Sequence, residues 1–356
     1  MKTICALLGF VLIFSLLAGC VPKESPLSQS SETESNLSAE EKVDSTSIAE
    51  SEVTSDTVES SEVSDITPPP ESSEIIDDTP KEDLLSYINS HGRDIYFYGD
   101  LGKAEYDSAI ADLENVLDGY DKNVSMVAYS LDGKKALSYN TEERIFPASM
   151  IKVAYAFYCF LEMEKGAATL ATEMVYEEKH YEIGTGDMQY SPIGTSFDMA
   201  TIISKTLSIS DNVGYLMMVD YFGRDGYNKW ISDLGAPSLQ IKPTVWCLSA
   251  SAKDWAVVWR EINNYFEKDG LYAEFFYNCC TDTAGNFATA CIENANYSHK
   301  QGHQRSGDWH SYSDSGILWK KNSYIYVILT DAPGPSSYEE KFFADVMTIV
   351  DKQLFE

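Results

Sequence analysis

No aromatic residue stands between Phe14 and Tyr87, whereas aromatics recur at short intervals from Tyr87 to the end of the 356-residue chain. This break limits what can fold. Residues 21–82 are mostly Ser, Glu, Thr and Asp, and such a stretch cannot bury enough apolar surface to offset the entropy of ordering. Between Val21 and Lys81, sixteen acids stand against Lys23, Lys42 and Lys81. Pro68-Pro69-Pro70 adds a short stiff piece. The segment is expected to be a disordered acidic tether, about 45 Å end to end by the square-root rule and longer under self-repulsion. The folded unit is then expected over 83–356, enough for a sizeable core. The formal charge of −30 sits in good part on the tether. With no basic stripe to neutralise phosphates, nucleic acid is not an expected partner.

The first twenty residues read as an export signal. Lys2 supplies a positive start, and Ile4 to Ala18 is an apolar run shorter than the ~20 residues of a spanning helix. Leu17-Ala18-Gly19-Cys20 resembles the bacterial lipoprotein box, in which the cysteine is lipidated and becomes the new N-terminus. That resemblance implies an extracytoplasmic protein, anchored to the membrane at the cell surface through Cys20 without crossing it. Besides Cys5 and Cys20, the chain has Cys159, Cys247, Cys279, Cys280 and Cys291. They form no CxxC spacing, so a zinc ribbon is not supported. Export permits a disulfide, and the odd count leaves at least one thiol free. Cys159 lies in an apolar helical run and is expected to be a small buried hydrophobe.

Helical periodicity runs from Ala104 to Tyr120. Val124 to Tyr139 reads as a hairpin turning at Asp132-Gly133. Pro147 introduces an apolar helix to about Glu164, and residues 165–270 look mainly helical. Ser298–Gln301, Ser315–Lys320 and Tyr324–Thr330 read as strands, with a closing helix from Tyr338 to Leu354. Strands at both ends with helices between imply an α+β fold, an antiparallel sheet flanked by helices and carrying an all-helical insertion. Residues 83–148 and about 270–356 would form the α/β part, and about 149–269 the helical part.

Three short motifs follow one another. Ser149-Met150-Ile151-Lys152 opens the helix after Pro147, Ser210-Asp211-Asn212 follows, and Lys300-Gln301-Gly302 begins a late strand. Ser and Lys three apart on a helix share a face. A serine hydroxyl attacks only once a neighbour takes its proton, and a lysine desolvated beside a second cation, here Lys300, can do so. Ser149 at a helix N-terminus would also meet free N–H groups favouring developing negative charge. Ser210 can relay a proton to a departing nitrogen, and Asn212 can hold both Lys152 and a substrate carbonyl. Lys300 on an edge strand would attract a substrate carboxylate, and Gly302 would admit a ligand close to the backbone. The N–H of His303 would complete an oxyanion hole with that of Ser149.

These motifs are similar to the SxxK, SDN and KTG triplet of class A β-lactamases and penicillin-binding proteins. The resemblance extends through Ile145-Phe146-Pro147-Ala148 before the nucleophile, Gly184-Thr185-Gly186-Asp187, Pro192-Ile193-Gly194-Thr195 and Asp314-Ser315-Gly316-Ile317, covering nearly all of 100–356. It implies the β-lactamase/DD-peptidase-like fold and a Ser149 acyl-enzyme with β-lactams or D-Ala-D-Ala-type stem peptides. Ser149, Lys152 and Ser210 would be catalytic, and Asn212, Lys300, Gln301, Gly302 and His303 substrate-binding. The protein would act as a monomer without a cofactor.

Two departures from the family matter. Gln301 replaces its usual Thr or Ser, altering carboxylate recognition. Class A enzymes also carry a loop glutamate that activates the deacylating water, whereas Gly235 to Ser251 contains no acid. Asp254, the first acid afterwards, reads as a surface or capping residue. Slow deacylation is expected, since general-base catalysis contributes about 10²–10⁴-fold. His299, His303 and His310 lack helical HxxxH spacing and a carboxylate context, which argues against zinc. No GxSxG elbow supports a Ser-His-Asp triad. An esterase acting on other acyl groups, or a non-catalytic wall- or β-lactam-binding lipoprotein, are the alternatives.

Overall fold

A computed structural model describes residue 88 and residues 92–356, apart from 244, 286, 306 and 308. The export signal, Cys20 and the tether lie outside the described residues. Strand β1 (Tyr96–Tyr98) and helix α1 (Lys103–Asp118) precede the expected hairpin, β2 (Val124–Ser130) and β3 (Ala136–Tyr139). Helix α2 (Ile151–Glu164) follows a single 3₁₀ turn over Ala148–Met150. Strand β4 (Glu173–Val175) and β5 (Ser196–Asp198) pair with each other. Helices α3 (Met199–Ser208), α4 (Asn212–Phe222), α5 (Arg224–Asp233), α6 (Ala252–Glu267) and α7 (Ala273–Thr281) complete the helical layer. Strands β6 (Asn296–Gln304), β7 (Ser311–Trp319) and β8 (Tyr324–Thr330) then precede α8 (Ser337–Ile349), which widens into a π turn over Val350–Phe355.

The main sheet is antiparallel throughout, in the order β1-β3-β2-β8-β7-β6. Both its faces are covered. Alternate residues of a strand point to opposite faces. Val127 and Tyr129 of β2 join one apolar cluster with α2 and α6, while Val124, Met126 and Ala128 join another with α1 and α8. In the same way Ile325, Val327 and Leu329 of β8 face the helical layer, and Tyr324, Tyr326 and Ile328 face the terminal helices. Double burial explains why β2 and β8 read as largely apolar runs with little polar alternation. Hydrogen bonds pin α6 to the sheet: Tyr129 Oη donates to Ala256 O (3.1 Å), Trp259 Nε1 donates to Ser315 Oγ (2.7 Å), and Ala252 N donates to Ser125 Oγ (3.4 Å).

The helical layer differs from the sequence expectation in two respects. It contains the two-stranded β4–β5 sheet, and it continues to Thr281 through α7, whose Phe276 packs 5.8 Å from Phe157 and 4.9 Å from Phe160 of α2. Cys159 is fully buried, and Cys159, Cys247, Cys279, Cys280 and Cys291 are all free thiols. Among the described residues no helix is long and apolar enough to cross a membrane.

Candidate active site

The site lies where the 3₁₀ turn at the head of α2 meets the start of α4 and edge strand β6. Ala148 has φ +48° and Ser210 has φ +59°. Left-handed backbone costs a non-glycine residue about 1–3 kcal/mol, and here it brackets the nucleophile candidate and its partner. The close approach that Gly302 permits is to the protein's own backbone: a Cβ there would stand 1.9 Å from Pro147 O and 3.1 Å from Met150 N. Gly302 therefore seats the turn that carries Ser149, which differs from the ligand approach expected from sequence.

Lys152 is fully buried, and its Nζ has four neighbours. It donates to Ser210 O (2.5 Å) and Asn212 Oδ1 (2.7 Å), and lies 3.2 Å from both Ser149 Oγ and Ser210 Oγ. The two shortest contacts are to carbonyl oxygens, which only accept. A neutral amine has two N–H groups for them and a lone pair left over for a hydroxyl. Burial first, and then the charge of Lys300, holds Lys152 well below the ordinary lysine range. Lys300 is also fully buried, and burial lowers it to about 8 while Asp314 opposes the shift. Its Nζ donates to Ser210 Oγ (3.2 Å) and Gln301 O (3.1 Å). One hydroxyl, that of Ser210, thus bridges two lysines.

Residues 183–188 brace this arrangement. Thr185 Oγ1 donates to Ser210 O (2.6 Å), Asn212 N donates to Thr185 O (3.1 Å), and Asn212 Nδ2 donates to Ile183 O (3.4 Å). Asp211 caps α4 by accepting from Gly214 N (3.0 Å) and also accepts from Met188 N (2.9 Å). A Cβ on Gly186 would fall 2.0 Å from the Asp211 carboxylate. The Gly-Thr-Gly-Asp motif is therefore the clamp on Ser210-Asp211-Asn212.

A cleft of about 790 Å³ opens onto these groups. Ser149, Lys152, Asn212 and His303 line it, and Ser210 Oγ adjoins them at 3.2 Å from Lys152 Nζ. Gln301 Nε2 donates to Ala284 O, and the Ala284 N–H donates to Ser208 O (2.6 Å). His303 Nε2 donates to Gly334 O (2.8 Å). His299 is buried with Nδ1 3.0 Å from Asp314 Oδ1, and its Nε2 meets Thr283 Oγ1. It has the carboxylate context that the sequence did not reveal, yet no group of three metal-ligating side chains occurs among the described residues.

Sequence reasoning gave no role to Glu182, Trp246, Cys247 or Trp309, all of which line the cleft. The acid-free stretch supplies much of its wall, from Val245 to Ser249. Cys247 Sγ donates to Ala148 O (3.6 Å), with burial pushing the thiol up to about 12. Asp254, expected at the surface or as a cap, is instead buried and accepts from Ser238 N (2.7 Å). Ser251 is the cap of α6, which frees Asp254 to brace the Gly235–Ser251 loop at Ser238.

Known proteins resemble this chain. Residues 108–354 match the model of the beta-lactamase enzyme family. Beta-lactamase VEB-1 of Pseudomonas aeruginosa is 22% identical, with 72% of this chain and 93% of that protein covered. Among solved structures, TLA-1 extended-spectrum beta-lactamase superposes with a TM-score of 0.62 at 16% identity, covering 70% of this chain and 99% of that one. A mutant of PBP-A captured as an acyl-enzyme with penicillin G superposes with a TM-score of 0.60 at 17% identity, covering 69% and 97%.

Proposed function

Because the chain belongs to the beta-lactamase enzyme family, we propose that it is a serine hydrolase that forms an acyl-enzyme through Ser149 with β-lactams or D-Ala-D-Ala-type peptides and releases it slowly. The observation that carries this reading is the environment of Lys152, buried, depressed and 3.2 Å from Ser149 Oγ. Lys152 takes the Ser149 proton as Oγ bonds the substrate carbonyl carbon. The N–H groups of Ser149 and His303 hold the oxyanion. As the C–N bond breaks, Ser210 gives its proton to the leaving nitrogen and is reprotonated by Lys152.

Slow release follows from the loop. Gly235 to Ser251 has no acid, and the carboxylate of Asp254 is held by the Ser238 N–H. Leu17-Ala18-Gly19-Cys20 supports anchoring at the cell surface through a lipidated Cys20. An esterase reading is favoured by Gln301, whose amide is taken up by Ala284 O.

Intact-mass spectrometry of the full chain with benzylpenicillin, beside Ser149→Ala, tests the proposal. A persistent one-ligand adduct absent from the variant is the expected result. Consumption of penicillin without an adduct would overturn slow release. Intact penicillin and no adduct would remove the β-lactam reading and favour the esterase, which nitrophenyl esters would then reveal.

A further inference from the structure

Glu182 is the one acid among the described residues that line the cleft, and it is half-buried. Its carboxylate has no hydrogen-bond or ion-pair partner among the described residues. Its place is fixed, because the next residue's carbonyl accepts from Asn212 and Gly184 N donates to Gln189 Oε1 (3.2 Å). A Cβ on Gly184 would meet Asn212 Nδ2 at 2.6 Å. Phe146, Trp246 and Trp309 line the same cleft, with Trp309 61% exposed and 5.9 Å from the Phe146 ring. Among the described residues the only lysine lining the cleft is Lys152, and its amine is spent on its own network.

We propose that Glu182 and this aromatic wall form a subsite for a cationic amine on the acyl side of the substrate, a specificity that rests on the acyl-enzyme reading above. A half-buried carboxylate without a partner is held at a desolvation cost. An ammonium entering beside it gains a charge-assisted hydrogen bond and the attraction of aromatic faces. A neutral acyl group of the same shape gains only the apolar contact. The preferred substrates are therefore acyl donors that carry a free amino group next to an apolar or aromatic body.

The test uses the full chain and two pairs of compounds that differ by one amino group. Phenylglycinamide and phenylacetamide are unreactive and are titrated calorimetrically into the Ser149→Ala chain at about pH 6. The amine should bind about fivefold or more tightly, with the difference shrinking as salt is raised. Glu182→Gln should abolish the difference, and Glu178→Gln, an exposed charge in the same segment, should keep it. Equal binding, binding of neither amide, or a preference that survives Glu182→Gln overturns the subsite. Ampicillin and benzylpenicillin then report on acylation in the chain with Ser149 intact. Acylation by both at equal rates removes the subsite and leaves the acyl-enzyme. An amine preference in the calorimeter without acylation by either keeps the subsite and removes the acyl-enzyme.

Discussion

Lys152 and Lys300 approach one hydroxyl, Ser210 Oγ, at 3.2 Å each. Two ammonium groups sharing one neighbour in a buried site would repel strongly, so one amine gives up its proton. The hydrogen bonds select Lys152, whose two shortest contacts match a neutral amine, and Lys300 keeps its charge up to about pH 8. The rate of Ser149 acylation should rise with pH as Lys152 loses its proton and fall again near 8 as Lys300 does. Lys300→Gln removes the neighbour that depresses Lys152, so the rising limb should move to higher pH and the falling limb near 8 should vanish. A pH series of adduct formation checks both. A rising limb that stays in place would mean that burial alone sets Lys152. Much of this site was legible in the sequence, since Ser149, Lys152, Ser210, Asn212 and Lys300 fall in short motifs. The Ser210 carbonyl was not, because a backbone acceptor carries no residue signature. Glu182, Trp246 and Trp309 come from loops whose side chains converge only through tertiary folding.

Among the elements, β8 occupies Tyr324–Thr330 as its composition suggests, and β2–β3 form the hairpin turning near Asp132-Gly133. Strong local patterning made these visible. Strands β4 and β5 have three residues each, too few for a period-two pattern to emerge. The joint between β6 and the nucleophile turn was equally hidden, because it depends on Gly302 approaching the backbone of Pro147 and Met150, which stand 155 and 152 residues earlier in the sequence. That joint makes a sharp prediction. Gly302→Ala places a methyl group 1.9 Å from Pro147 O, and neither partner is a flexible side-chain end. The strand or the turn must shift. Overpacking of this kind costs about 1–3 kcal/mol, and a displacement near 1 Å can lower a rate about 10²-fold. Urea unfolding and adduct formation should both be impaired, the second far more. Full acylation by Gly302→Ala would show that the turn is not seated by this contact.

At the scale of the whole molecule, the sheet buried on both faces encloses charge along with apolar surface. The unfolded chain holds Lys300 at an ordinary lysine value, whereas the folded chain holds it at about 8. Over the interval between them the unfolded state binds more protons, so stability rises with pH. Below about 8 both states are protonated and the cost of burying the ammonium is complete. As pH climbs from 8 towards the ordinary lysine value that cost is relieved, and Lys152, shifted in the same direction, is relieved earlier. From pH 7 to 9.5 the relief at Lys300 alone is on the order of 2 kcal/mol, at about 1.4 kcal/mol per full pH unit of proton difference. Buried tyrosines impose the opposite limit. Burial raises Tyr155, Tyr215, Tyr227, Tyr324 and Tyr326 above the ordinary tyrosine value, so their ionisation favours the unfolded chain beyond about pH 10. The urea midpoint should therefore climb from pH 7 to about 9.5 and decline beyond 10. Lys300→Met, which replaces the ammonium with an apolar group of similar length, should be more stable at pH 7 and show a flatter climb. An equally steep climb in that variant would place the proton-linked cost elsewhere than in the lysine pair that the fold encloses.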